Sequence, residues 1–191
     1  DKPSADVPTQ RPDYGGRTVL TDQLALRAIK LISTGLRRAV NNGHDLDARR
    51  AMSLGSLLAG MAFTNAGLGL AHAMAMATGA RHHTVHGETI ATVLPWVVRY
   101  NASAAADRYA EIARVMGENT ANASDYEGAE MGAIAIERLR SDVGLATGLA
   151  DLGVDRTDID TLARNAVQLE RLVVGNPRRV EESDMRELFE N

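Results

Sequence analysis

The chain contains no cysteine and few aromatic residues, which make up 4% of its 191 positions. Without cysteine it has no disulfide bonds, no thiolate metal ligands and no thiol nucleophile. With so few aromatic rings, the core must be built from Leu, Ala, Val, Ile and Met. A chain without cysteine fits an intracellular protein, so we expect a cytoplasmic location.

The sequence also lacks a basic stripe, a secretory signal and an uninterrupted apolar run. Its formal net charge is −4, and Lys and Arg are dispersed among acidic residues, so a nucleic-acid partner is not expected. Residues 1–11 are polar and contain proline, unlike a signal peptide. The weakly polar stretch 54–80 is interrupted by Asn65, His72 and several glycines, which indicates buried helices and no membrane partner.

No segment of useful length alternates in the manner of a β-strand, whereas helical spacing of apolar residues runs through most of the chain. Residues 1–20 contain three prolines and the pair Gly15-Gly16, so we expect an extended lead segment. Residues 21–191 are predicted to form one all-α domain. A chain that opens without a capped first element is also expected to be the inner part of a longer protein.

Capping residues and breakers give approximate bounds for the helices. Thr21 and Asp22 are expected to cap the first helix, and Asp45 the second. Pro95 is expected to kink a helix that starts near His86. The remaining helices are predicted at 107–116, 125–143, 157–174 (capped by Thr157 and Asp158) and 182–190, with Met131, Ile134, Ala135, Leu139 and Val143 on one face of the 125–143 helix.

Four of the five histidines fall between positions 72 and 86. His72 and His86 each lie in a helical context among small residues, so their imidazoles are predicted to converge between two helices. Neutral imidazole is the commonest protein metal ligand, and the pair is therefore a candidate metal site. A buried structural role for these histidines remains the alternative. His82 and His83 are predicted to lie on a loop that faces solvent or a cleft.

The order and spacing of several segments over residues 20–191 resemble the C-terminal domain of iron-containing alcohol dehydrogenases. The segments are AGMAFTNAGLG at 59–69, HAMA at 72–75, His86-Gly87, Leu94-Pro95, RYN at 99–101, YAEIARVMG at 109–117 and GNPR at 175–178.

This resemblance implies the helical domain of the dehydroquinate synthase-like fold, in a protein whose N-terminal domain binds NAD or NADP. It also implies a divalent metal, usually iron and sometimes zinc, held by three histidines and one aspartate. His72 and His86 match two of these ligands, while the other two are expected on a helix upstream of Asp1. Met76 stands where many family members have a histidine that relays a proton, and His82 or His83 are candidates to replace it.

The resemblance implies an NAD(P)-dependent alcohol dehydrogenase that interconverts an alcohol with an aldehyde or ketone, and a homo-oligomer. The chain contains no glycine-rich phosphate loop. It is therefore expected to be inactive without its missing nucleotide-binding half. Two alternatives remain open. One is a hydroxyacid–oxoacid transhydrogenase of the same family, which the proline-containing lead resembles; the other is a non-catalytic helical assembly module that has lost its metal.

Overall fold

The computed structural model describes residues 16–191, which form α-helices and two short 3₁₀ turns and contain no β-strand within that range. The predicted all-α domain is therefore confirmed, and most of the predicted lead lies outside the described residues. The helices are α1 (Val19–Asn41), α2 (Leu46–Ala66), α3 (Leu70–His82), α4 (His86–Met116), α5 (Asp125–Asp142), α6 (Ile159–Val167), α7 (Glu170–Val173) and α8 (Glu182–Glu190).

Side-chain caps determine where three of the long helices begin. The Asp45 carboxylate accepts from the backbone N–H of Ala48 at 3.0 Å, which confirms the predicted cap of α2. Ser124 caps α5. In α1 the N-cap is Thr18, whose hydroxyl accepts from the N–H of Thr21 at 3.1 Å. The helix therefore starts two residues before the predicted cap, and Thr21 belongs to its first turn.

The longest helix, α4, covers two helices that the sequence predicts as separate, one starting near His86 and one at 107–116. It continues from His86 to Met116, and its backbone leaves helical angles at Ala105 (φ −152°, ψ 37°). Pro95, the predicted kink, keeps helical angles and is buried. Proline removes one backbone donor from the helix, but α4 leaves helical angles ten residues later, within the five consecutive small residues 102–106.

The second half of α4 packs against α5 through small side chains. A Cβ built on Gly128 would lie 2.6 Å from the Ala110 Cβ, and one on Gly132 would lie 3.2 Å from the Tyr109 carbonyl oxygen. Such contacts leave room for hydrogen only. The buried face of α5 therefore consists mainly of Gly and Ala. Ile134, which the sequence pattern placed on the apolar face, is 44% exposed.

Arg99 joins the same two helices by charge. Its guanidinium donates to Glu130 at 2.7 Å and to Glu137 at 2.6 Å, and it lies 4.8 Å from the centroid of the Trp96 ring. The two carboxylates raise the pKa of Arg99 by hydrogen bonding to it, so this side chain stays charged. The network fixes the rotation of α5 relative to α4.

The main hydrophobic core lies where α3 and the first half of α4 meet the C-terminal helices. α3 passes through its centre, since Met74 and Ala73 have no exposed surface and Leu70 has almost none. The predicted helix 157–174 is broken into three pieces. A 3₁₀ turn at Arg156–Asp158 is followed by α6 and then α7, and Asp155, not Thr157 or Asp158, caps the turn by accepting from the Thr157 N–H at 2.8 Å. The predicted last helix, α8, is confirmed.

Within residues 16–191, no single helix combines the length and apolar composition needed to cross a bilayer. Only α2 and α3 taken together pass that test, and they meet at an angle of 101°. Most of α3 is buried against other helices, as predicted. The prediction of buried helices over 54–80 is wrong for the α2 part, where Leu54, Leu57 and Phe63 are 44–59% exposed because α2 packs closely on α1 alone among the described helices.

The close α4–α5 contact predicts that Gly128→Ala destabilises the fold. The added methyl group overlaps Ala110, and overpacking of this kind costs about 1–3 kcal/mol. Gly60→Ala is the matched control, because a Cβ there meets nothing within 4 Å and alanine favours a helix interior. Urea unfolding measures both variants. Equal stability of Gly128→Ala and the unchanged chain would contradict the packing described above.

Candidate metal centre

His72 and His86 lie at the beginnings of two consecutive helices. His72 is in the first turn of α3, after the N-cap Gly69, and His86 is the first residue of α4. Their imidazole centroids are 5.4 Å apart and the rings meet edge to face at 62°. The predicted convergence of the two rings between two helices is therefore confirmed.

Gly67 and Thr89 help to position the pair. Gly67 has a φ of 91° and ends α2, so the chain turns within three residues into α3. On the other side, the buried Thr89 hydroxyl lies 2.8 Å from the Thr84 hydroxyl and donates to the Val85 carbonyl at 3.0 Å. These hydrogen bonds hold the first turn of α4, and with it the backbone of His86.

The environment keeps His72 in the form that binds metals. Burial lowers its pKa by disfavouring the charged ring, and the neighbouring His86 lowers it further because two imidazolium ions repel each other. A neutral imidazole has a free nitrogen lone pair. The pair is also accessible from solvent, since His86 is exposed and His72 is half-buried.

Two imidazoles are a partial ligand set. Within residues 16–191, no group of three or more His, Cys, Asp or Glu side chains is arranged to hold a metal ion. Zinc sites normally use three or four protein ligands, and non-haem iron sites use two histidines with a carboxylate. The donor chemistry of the pair fits a divalent cation, which would need further ligands besides these two imidazoles.

Met76 lies one helical turn after His72 on α3 and is 42% exposed. Residues four apart share a helix face, so Met76 lies on the face of α3 that carries His72. A thioether binds no proton at neutral pH. A proton relay through this position, which the sequence resemblance associates with a histidine, is absent from this chain.

His82 and His83 do not lie together on a loop. His82 is the last residue of α3 and its side chain is only 14% exposed; its Nε2 is 3.2 Å from an Asp158 oxygen, without hydrogen-bond geometry. Arg81 forms an ion pair with the same carboxylate and lowers the pKa of Asp158 by hydrogen bonding. His83 is exposed and caps α3 in the left-handed conformation (φ 53°). Neither histidine joins His72 and His86 in a cluster that could hold a metal ion within residues 16–191. A catalytic role for either stays a prediction.

The cluster of Arg81, His82 and Asp158 was not foreseen from the sequence. It joins the end of α3 to the turn that precedes α6. Arg81 and Asp158 are 77 positions apart in the sequence. No local pattern marks such a contact.

Comparison with known proteins gives the same family as the sequence pattern. The model for the Fe-containing alcohol dehydrogenase family, C-terminal, matches residues 16–191. A 1,3-propanediol dehydrogenase from Citrobacter freundii is 44% identical over 170 residues, which cover 89% of this chain and 44% of that protein. The mitochondrial hydroxyacid-oxoacid transhydrogenase from Rattus norvegicus is 32% identical, over 98% of this chain and 43% of its own length.

A solved structure supports the fold. The crystal structure of a 1,3-propanediol oxidoreductase matches with a TM-score of 0.88 and 42% sequence identity, over 91% of this chain and 45% of that one. This chain thus spans less than half the length of the relatives it matches.

The lowered pKa of His72 predicts a pH-dependent stability. The unfolded chain takes up a proton on this residue as the pH falls below about 6.5, whereas the folded chain resists it, so folding stability is full above that pH and declines below it. In His72→Gln this part of the decline should disappear. Chelator-treated protein is unfolded in urea at a series of pH values, with His44→Gln, in the exposed turn before α2, as control. An unchanged slope in His72→Gln would contradict the assignment.

Proposed function

Because this chain belongs to the iron-containing alcohol dehydrogenase family, we propose that it is the helical, metal-binding half of an NAD(P)-dependent dehydrogenase. The complete protein would interconvert an alcohol with an aldehyde or ketone. The observation that carries the proposal is the approach of His72 and His86, with 5.4 Å between their ring centroids. A non-catalytic module would have no need to keep two imidazoles this close together.

His72 and His86 would hold a divalent cation, iron or zinc, together with an aspartate and a histidine from upstream sequence. When bound, such a cation acts as a Lewis acid that lowers the pKa of an alcohol. The chain's own contribution is to orient the two imidazoles. Gly67 and Thr89 position the two helix starts, and burial keeps His72 unprotonated.

NAD or NADP would be bound by the other half of the complete protein. The printed sequence contains no glycine-rich phosphate loop, and the chain covers only 44% of the propanediol dehydrogenase it matches. The alcohol carbon would transfer its hydride to the nicotinamide in the space between that half and the histidine pair. Met76 supplies no proton, so proton transfer would have to use another group. A cytoplasmic location and a homo-oligomeric state remain predictions.

A transhydrogenase reaction is the second candidate. The rat hydroxyacid-oxoacid transhydrogenase aligns with 98% of this chain, so the alignment takes in most of the proline-containing lead as well as the helical domain. In that case hydride would pass from a hydroxy acid to an oxo acid through a nucleotide that stays bound. A dehydrogenase would release free NADH or NADPH during alcohol oxidation, whereas a transhydrogenase would not. Measuring the free reduced nucleotide therefore distinguishes the two activities.

The metal assignment predicts that the complete protein loses most of its iron or zinc when either histidine is removed. Metal content per chain is measured by mass spectrometry for His72→Ala and His86→Ala. Loss of a direct ligand should weaken binding by at least the 10–100-fold that removing a ligand's hydrogen-bonding partner costs. His83→Asn is the control, because asparagine tolerates the left-handed conformation and His83 lies outside the pair.

Circular dichroism must show that each variant keeps its helices. If both folded alanine variants retain the metal content of the unchanged protein, the histidine pair is not the metal site and the proposal fails.

A further inference from the structure

The outer face of α2 is apolar, although no other described helix covers it. α2 packs closely on α1 alone, where a Cβ built on Gly55 would lie 2.9 Å from the Ile32 side chain. On the side turned away from α1, Leu54, Leu57 and Met61 are exposed. Their spacing of three and four residues places them on one face of the helix. These three side chains are called the outer ridge of α2 below.

The residues around the outer ridge also favour a covering helix. No charged residue occurs between Ala51 and Ala66, although a helix at a protein surface usually carries charged side chains on its solvent face. Beside the ridge runs a row of small residues at a spacing of four, Ser56, Gly60 and Thr64. A row of large residues next to a row of small ones forms the ridge and groove into which a second helix packs.

The length of the relatives points to where such a helix comes from. The family model that matches residues 16–191 describes the C-terminal part of these proteins. This chain covers only 44% of the propanediol dehydrogenase it matches, so more than half of such a protein lies outside it. α2 also leads through Gly67 into the first turn of α3, which carries His72. A helix on α2 would therefore lie next to the part of the chain that holds the incomplete metal site.

A second copy of the chain fits this face less well. α2 has 21 residues, which corresponds to a length of about 30 Å and a width of about 10 Å. Its outer face thus offers on the order of 300 Å², whereas each partner in a stable complex buries about 800 Å². A helix of the same polypeptide needs no such area, because it is already tethered and pays little entropy on docking.

We propose that the outer ridge of α2 is the docking surface for an amphipathic helix from the part of the complete protein upstream of Asp1. The apolar side of that helix packs against Leu54, Leu57 and Met61 and removes them from water. The inference rests on the proposed function in one respect, namely that this chain is one half of a longer protein. It does not depend on metal binding or on dehydrogenase activity.

Photo-cross-linking of the complete protein identifies what covers the outer ridge. Leu57 is replaced with the photoreactive amino acid p-benzoylphenylalanine, and cross-linked peptides are identified by mass spectrometry after irradiation. The expected product joins position 57 to a peptide upstream of Asp1 in the same chain. Ile134 is the control position, because it is also exposed on a helix but lies on α5, away from the ridge. The same replacement there should give no link to that upstream peptide.

Leu57→Glu provides a second, independent test. A helix that covers the ridge would bury the introduced carboxylate, so the midpoint temperature of unfolding of the complete protein should fall by at least about 2 °C. Ile134→Glu is the matched control and should leave the midpoint within about 1 °C, since exposed substitutions have little effect.

The proposal is overturned if the cross-linked product has the mass of two chains, because a second copy then covers the face. It is equally overturned if position 57 forms no link, or if folded Leu57→Glu is as stable as the unchanged protein. Should Leu57→Glu fail to fold, the cross-link decides. Neither measurement detects metal, so loss of the metal assignment would leave this proposal standing, and failure of the docking proposal would leave the metal assignment standing.

Discussion

The short connection between α3 and α4 is the constraint on which the candidate metal centre depends. Three residues separate the end of α3 from His86, and His83 adopts the left-handed conformation that lets the chain reverse there. His72 lies ten residues before the end of α3, which is about 15 Å along the helix. Because four residue steps from His82 to His86 span at most about 14 Å, the connection has to run back along α3 for the two rings to meet.

The rest of the fold holds this connection in place from both sides. At the end of α3, Asp158 binds Arg81 and lies beside His82, which holds this end of α3 against the turn before α6. At the start of α4, the Thr89 hydroxyl donates to the Val85 carbonyl and so stabilises the first turn. Close packing of α4 on α5 through Gly128 and Ala110 then fixes the direction of the long helix. Such contacts hold the two imidazoles together, since two imidazoles repel each other when protonated.

Local signals in the sequence were sufficient for much of this structure. The cap at Asp45 and the last helix each depend on neighbouring residues, and both were predicted correctly. The facing histidines were predicted because each lies in a helical context among small residues and the two are only fourteen positions apart. Contacts between distant residues were not predictable in this way. Arg81 and Asp158 are 77 positions apart, and the exposure of Ile134 follows from the close approach of α4, which the pattern of α5 alone does not reveal.

X-ray absorption spectroscopy of the zinc-loaded complete protein tests the central claim most directly, because it detects the atoms bound to the metal. The account predicts nitrogen scatterers at about 2.0–2.1 Å with the outer-shell pattern of imidazole, and the loss of one imidazole in His72→Ala. A spectrum without imidazole, or one that His72→Ala leaves unchanged, would show that the two converging histidines do not hold the metal.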